Sequence, residues 1–186
     1  MTTVDDLWYL ADEAAQRAER TYHRLAETHD GYMEFTIDRS VSRSRFRTVA
    51  GRIRENGLPY GSHTLAYRPD GRLLLVRHAD VDMWVLPGGE VDDGETFREG
   101  ANRELHEEAG IDAEYEGLGI LARVDFHCDD HHTWGVLPIY EGEATDTDVT
   151  VADPDGEITD AHWFETLPKD TRDREHLLRW HSQRFE

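Results

Sequence analysis

The stretch from Gly88 to Ile111 constrains the fold of this chain more than any other part of the sequence. It combines a double glycine with a dense run of carboxylates. Thr96 and Glu99 have the three-residue spacing of a capping box, which predicts that a helix begins there. Gly110 is a typical C-cap residue and predicts where that helix ends. We therefore expect a glycine-rich bend followed by a helix of defined length.

Three carboxylates of this helix, Glu104, Glu107 and Glu108, lie three and four residues apart and share one helix face. Because like charges at this spacing repel, we expect a bound cation to offset the repulsion. Carboxylate oxygens suit Mg²⁺ or Mn²⁺, and Mg²⁺ is commonly held by one or two carboxylates together with substrate phosphates. The helix therefore predicts a divalent-cation site that acts on a diphosphate. The alternative is a solvated acidic face on an acidic protein.

The spacing of these residues resembles a complete Nudix box: Gly89, five residues, Glu95, seven residues, Arg103-Glu104-Leu105, one residue, Glu107-Glu108, one residue, Gly110-Ile111. The resemblance implies an α/β (α+β) fold, a Nudix-type α/β/α sandwich around a mixed sheet. It also implies Mg²⁺-dependent hydrolysis of a phosphoanhydride bond in a nucleoside diphosphate linked to another moiety. That substrate is either a nucleoside triphosphate or an ADP-sugar such as ADP-ribose. The choice between them stays open, because the signatures that mark individual subfamilies are missing from the sequence.

The resemblance also implies roles for single residues. The metal ligands are the carbonyl oxygen of Gly88 and three carboxylates, those of Glu104, Glu107 and Glu108, while Gly89, Glu95 and Arg103 are structural. Arg103 is expected to orient the carboxylates, and Glu95 to brace the junction between loop and helix. A general base must deprotonate the attacking water, and it comes from the box or from a later loop. Glu157, just before a predicted strand, is the candidate in that loop, and its placement is similar to that of the extra metal-binding glutamate of several Nudix hydrolases; the alternative is an ordinary surface acid.

The charge balance limits the partners of the chain. The sequence holds 40 Asp and Glu against 20 Lys and Arg, a formal net charge of -20 at pH 7. We therefore expect no general nucleic-acid binding, no attraction to an anionic membrane, and a surface that suits a halophilic protein. Arg77 and Arg123 either bind phosphate or pair with nearby acids. A local group of arginines either binds a polyanion, lines the substrate cleft or pairs with acidic neighbours: Arg39, Arg43, Arg45, Arg47, Arg52 and Arg54.

The pattern of apolar residues predicts two regions. Residues 1–57 form an N-terminal helical extension with helices over 4–27 and 42–55, and residues 58–186 form the Nudix hydrolase domain. The extension offers a surface for packing on the domain or for a homodimer. The domain is predicted to contain strands over 63–68, 72–78, 83–86, 111–126, 133–140 and 158–164 and a last helix over 172–184.

Cellular location is predicted from cysteine usage and hydropathy. Cys128 is the only cysteine, so no intrachain disulfide forms and we expect a reducing, cytoplasmic location. We expect neither a signal peptide nor a membrane span, because no apolar stretch is long enough. The run 129–132, Asp-Asp-His-His, is predicted as a polar turn rather than a zinc site.

Two other functions remain open from the sequence. The first is a non-catalytic, nucleotide-sensing Nudix domain, although the intact box and the lack of a basic helix-turn-helix favour an enzyme. The second is isomerase chemistry on isoprenyl diphosphates, which needs a cysteine near the substrate and has only Cys128 to supply it. The leading hypothesis is a Mg²⁺- or Mn²⁺-dependent pyrophosphohydrolase that acts on a small nucleotide.

Overall fold

A computed structural model describes residues 4–186, with side chains from residue 6 onward. In this part of the chain there are four helices and eight strands. The helices are α1 (Val4–Thr28), α2 (Arg43–Asn56), α3 (Phe97–Ala109) and α4 (Arg174–Phe185). The strands are β1 (Met33–Ser40), β2 (Ser62–Tyr67), β3 (Leu73–His78), β4 (Met83–Val85), β5 (Gly88–Gly89), β6 (Ala113–Cys128), β7 (His131–Ala144) and β8 (Ile158–Phe164).

The predicted mixed α/β fold with a mixed sheet is confirmed, and so are the four predicted helices to within a few residues. Asp129 and Asp130 form the predicted turn, whereas the two histidines after them already belong to β7. The strand β1, between α1 and α2, was not predicted. Among the residues that the structure describes, no helix is both long and apolar enough to cross a bilayer.

Contacts divide the chain into two compact units, and the long strands β6 and β7 contribute residues to both. The first unit comprises the residues up to Tyr60 together with Ile120–Pro138. In it α1 packs against α2, and the buried side chains of α2 include Phe46 and Ile53. β1 runs parallel to β6. The predicted boundary between residues 57 and 58 stays a prediction.

The second unit comprises Gly61–Gly119 and Ile139–Glu186. Here β2 lies between β7, with which it runs parallel, and β3, with which it runs antiparallel, and β8 pairs with β3 on the far side. Leu105 and Ala109 of α3 are fully buried in a core with Leu74 and other apolar residues of β2, β3 and β8. This apolar face fixes the rotation of α3 about its axis, and it therefore fixes where the carboxylates of α3 lie.

The ends of α3 are set by local sequence, as predicted. The Glu99 N–H donates to the Thr96 hydroxyl at 3.1 Å, and the Thr96 N–H donates to the Glu99 carboxylate at 2.8 Å. This reciprocal pair is a capping box, which satisfies two backbone donors at the helix start. Gly110 ends the helix at φ +66°, in the left-handed region that glycine adopts without strain.

Candidate metal and active site

Two carboxylates of α3 are buried. Glu104 is 8% exposed and Glu108 is 6% exposed, whereas the side chain of Glu107 is 30% exposed. Burial raises the pKa of both Glu104 and Glu108, that of Glu108 to about 9. The Gly88 N–H donates to Glu108 Oε2 at 3.1 Å and partly opposes this rise. Ionisation of Glu108 is thus unfavourable in the protein alone.

This donor set fits a hard divalent cation. Among the side chains that the structure describes, those of residues 6–186, no Arg, Lys or His forms an ion pair with Glu108. A buried carboxylate without a cationic partner is costly, and a metal ion would restore its charged form. The side-chain atoms that Glu104, Glu107 and Glu108 offer on α3 are carboxylate oxygens, the ligand type of Mg²⁺ and Mn²⁺. The residues present therefore fit the ion that the sequence predicted.

Arg103 connects the carboxylates to the loop before the helix. Its guanidinium donates to Glu95 at 2.7 Å, to Glu104 at 2.9 Å and to Glu107 at 3.2 Å. A further N–H of Arg103 donates to the carbonyl oxygen of Glu90 at 2.9 Å. The hydrogen bond from Arg103 lowers the pKa of Glu95, which keeps that carboxylate ionised. Arg103 thus links three carboxylates to the loop before the helix, and the predicted roles of Arg103 and Glu95 as bracing residues stay predictions.

The double glycine allows the bend to lie directly against α3. A Cβ on Gly89 would lie 2.8 Å from the carboxyl carbon of Glu104, and one on Gly88 would lie 2.5 Å from the His63 ring. Both separations are shorter than real Cβ contacts, so larger residues would displace the neighbours. The backbone at these positions can therefore approach a ligand held by the helix.

The acidic loop before β8 runs along the end of α3. The Thr150 N–H donates to the carbonyl of Ala109 at 2.8 Å, and the Ala152 N–H donates to that of Glu107 at 3.3 Å. Asp153 accepts hydrogen bonds from the backbone N–H groups of Glu157, at 2.6 Å, and of Ile158. After burial, which is the largest cause, nearby charges including those of Asp153 and Glu157 raise the pKa of Glu108 further. Glu157 thus lies within electrostatic range of the buried carboxylate of Glu108.

Two residues beside Glu157 were missed by the sequence analysis. One ligand atom each from His78, Asp80 and Glu157 lies within 4.8 Å of the others. His78 ends β3 and Glu157 precedes β8, and the antiparallel pairing of these strands brings the residues together. No short-range sequence signal reports this contact, because it depends on strand pairing across about eighty residues.

For Arg77 and Arg123 the sequence left two alternatives, phosphate binding and pairing with nearby acids. Both side chains pair with acids in the structure. Arg77 pairs with Asp82 at 2.7 Å and with Asp170. Arg123 makes two hydrogen bonds of 2.9 Å to Asp125. In the arginine group of the first unit, Arg54 lies 3.4 Å from Glu13, while Arg39 stacks on the Tyr60 ring.

The fold and the carboxylate helix define a Nudix-type domain. The model of the NUDIX domain family matches residues 59–180, which is more than half of the chain. The chain therefore belongs to the NUDIX domain family. The matched segment includes the capped helix α3, the double glycine and the loop that carries Glu157.

Individual relatives share this segment. A Bacillus subtilis (strain 168) protein, whose name proposes an 8-oxo-dGTP diphosphatase, is 36% identical over 78 residues, 41% of this chain and 52% of the relative. A MutT-like protein of Streptomyces ambofaciens is 49% identical over 70 residues, 33% of this chain and 45% of that protein. The chain thus spans about half the length of the curated relatives it matches.

The crystal structure of a NUDIX hydrolase from Nitrosomonas europaea shows the same fold. The two chains are 20% identical, with a TM-score of 0.51 over 67% of this chain and 72% of that chain. At this identity the likeness shows the fold alone, and the chemistry is argued from the site.

Proposed function

We propose that this chain hydrolyses a phosphoanhydride bond of a small nucleotide, with Mg²⁺ or Mn²⁺ as the cofactor. The ligands would be the carboxylates of Glu104, Glu107 and Glu108 and the carbonyl oxygen of Gly88. The observation that carries the proposal is the buried pair of Glu104 and Glu108, whose pKa values are raised and which lie against the Gly88 bend. NUDIX family membership supports the same chemistry.

The side chains around the site have distinct roles in this reaction. A bound divalent ion would neutralise charge on the phosphates and would lower the pKa of a bound water. Arg103 holds Glu104 and Glu107 in place, and Glu157 takes the proton of the attacking water. The water oxygen forms a bond to phosphorus as the bridging P–O bond breaks, and the leaving phosphate keeps that electron pair. The reaction is thus a hydrolysis that needs no other co-reactant.

For the substrate we favour a nucleoside triphosphate, including its oxidised forms, over an ADP-sugar such as ADP-ribose. Support comes from the relative whose name proposes an 8-oxo-dGTP diphosphatase and from the MutT-like relative. A triphosphate cleaved between its α and β phosphates releases pyrophosphate, whereas ADP-ribose releases AMP and a sugar phosphate. The products therefore distinguish the two substrate classes.

The test is a panel of nucleotides incubated with Mg²⁺ at molar KCl, with products identified by mass. The wild type is compared with Glu107→Gln, which removes a proposed ligand, and with Glu114→Gln, which changes an exposed glutamate of β6. We expect turnover of at least one triphosphate, unchanged in Glu114→Gln and lowered about 10³-fold or more in Glu107→Gln. Nucleotide binding without turnover in the wild type would instead identify a sensing domain.

We also propose that the protein is halophilic. With a net charge of -20, self-repulsion opposes folding at low ionic strength, and molar salt screens it because the Debye length falls to about 3 Å. The melting temperature is expected to rise between about 0.1 M and 2 M KCl, measured by circular dichroism. An equal rise in 0.5 M sucrose at low salt would show a general solute effect and would contradict the electrostatic explanation.

Cellular location and assembly remain predictions from the sequence. The cytoplasmic location rests on the single cysteine, Cys128, which is buried in the structure. The homodimer rests on the surface offered by α1, where Trp8 and Tyr9 are 57% and 61% exposed.

A further inference from the structure

The histidine that ends β3 faces the carboxylate proposed as the general base. His78 Nε2 lies 3.5 Å from Glu157 Oε2. On the other side of the ring, the Asp80 N–H donates to His78 Nδ1 at 3.3 Å. The backbone of Glu157 is also held, because its carbonyl oxygen accepts from the Ala79 N–H at 2.8 Å and its N–H donates to Asp153. These backbone hydrogen bonds therefore hold residues 78 and 157 with the His78 ring next to the Glu157 carboxylate.

These contacts decide between two roles for His78. By distance alone His78, Asp80 and Glu157 resemble a three-ligand metal site. However, an Nδ1 that accepts a hydrogen bond carries no proton, so the neutral ring carries its proton on Nε2. A metal on Nε2 would move that proton to Nδ1, where it would face the Asp80 N–H and leave two donors opposed. The hydrogen bond from Asp80 thus favours a proton on Nε2, the ring nitrogen that lies 3.5 Å from Glu157 Oε2, which is an ion-pair distance rather than a hydrogen bond in this structure.

We propose that His78 is a positioning residue for Glu157, to whose carboxylate its Nε2–H donates, and is not a metal ligand. This inference rests on the proposed function. The Glu157 side chain is 53% exposed and has several rotamers open to it, whereas a donor on a strand end restricts where its carboxylate lies. We expect the 3.5 Å separation to shorten to hydrogen-bond length when substrate is bound, because catalytic hydrogen bonds are often long in the free enzyme.

The test compares two amides at position 78. His78→Gln places an N–H donor near the position of Nε2, whereas His78→Asn places its amide near the position of Nδ1 and cannot reach Glu157. We expect His78→Asn to lower kcat about 30-fold with KM changed less than about twofold, because the base is displaced while binding is kept. His78→Gln is expected to retain kcat within about threefold of the wild type. Equal losses in both variants would overturn the proposal.

Two further measurements separate positioning from other roles. In a Glu157→Gln background, His78→Asn is expected to cause no additional loss in kcat, since its effect acts through that carboxylate. Titration with Mn²⁺ alone, followed by electron paramagnetic resonance, is expected to give the same number of bound ions in the wild type and His78→Asn. Loss of one bound ion would make His78 a ligand and would overturn the proposal.

Failure of this inference differs from failure of the proposed function. If the wild type hydrolyses no more nucleotide than Glu107→Gln does, both the proposed function and the positioning role of His78 are overturned. An active wild type with an inactive Glu107→Gln and an unaffected His78→Asn would overturn the positioning role alone. Melting temperatures of the two position-78 variants within a few degrees of the wild type exclude misfolding as the cause of a lowered kcat.

Discussion

Replacement of Glu108 by Gln is expected to lower kcat/KM about 10³-fold or more while leaving the fold at least as stable in the absence of metal. The carboxylate is a proposed metal ligand, so its loss removes binding of the ion and of the phosphates with it. Without metal, burial raises the pKa of Glu108 to about 9, and the neutral acid resembles an amide in size and shape. The Gln side-chain oxygen can still accept from the Gly88 N–H.

The raised pKa of Glu108 also determines how the stability of the fold should change with pH. A carboxyl whose pKa rises from 4.5 to about 9 on folding holds its proton more tightly in the folded state. The folded protein then loses stability relative to the unfolded chain as pH rises through that interval. In EDTA, the free energy of unfolding of the wild type should therefore fall between about pH 5 and pH 9 relative to that of Glu108→Gln.

Urea unfolding at several pH values in EDTA, together with steady-state kinetics in Mg²⁺, measures both parts of this prediction. Glu114→Gln is the control, because Glu114 lies exposed on β6 and is not one of the proposed metal ligands. A Glu108→Gln variant that unfolds more easily than the wild type at about pH 8 would show that the carboxylate is stabilising in the metal-free fold. That result would contradict our account of why the site requires a cation.

Replacement of Arg103 by Met is expected to lower the free energy of unfolding by about 2 kcal/mol and kcat by about 100-fold. The guanidinium donates to three carboxylates and one backbone carbonyl, and all four would lose the arginine together, although Glu95 would keep the hydrogen bond from the Asp92 N–H. Glu104 and Glu107 would then repel each other without a shared partner. Because the Arg103 side chain is 26% exposed, water relieves part of the loss, and we expect less than the effect of breaking a fully buried pair.

The matched control for this variant is Arg98→Met, an exposed arginine on the same helix. Arg103→Lys separates charge from geometry, because lysine keeps the positive charge but cannot donate to Glu95, Glu104 and Glu107 at once. We expect Arg103→Lys to restore most of the stability but little of the activity. Equal unfolding free energies for Arg98→Met and Arg103→Met would show that the arginine does not brace the helix.

The helix that carries the carboxylates could be predicted closely because its signals are local. Thr96 and Glu99 set its start and Gly110 its end, and the structure shows both caps as predicted. Glu104, Glu107 and Glu108 share a face of any helix with this spacing. The difference in burial among them was not predictable, because it depends on which side of α3 packs against Leu74 and the rest of the core.

Features that depend on distant pairing were missed. The proximity of His78 to Glu157 follows from the register of β3 and β8, which no short stretch of sequence specifies. β1 is a different case, since Met33, Phe35 and Ile37 alternate with polar residues as a strand pattern should. That signal was present in the sequence and was overlooked between two stronger helical patterns.

The most direct test of the central claim is a crystal structure of the protein with Mg²⁺ and a non-hydrolysable nucleoside triphosphate analogue. We predict an ion about 2.1 Å from oxygens of Glu104, Glu107 or Glu108 that is also bound by phosphate oxygens of the nucleotide. A nucleotide bound elsewhere, or these carboxylates turned away from one another with no ion among them, would contradict the account.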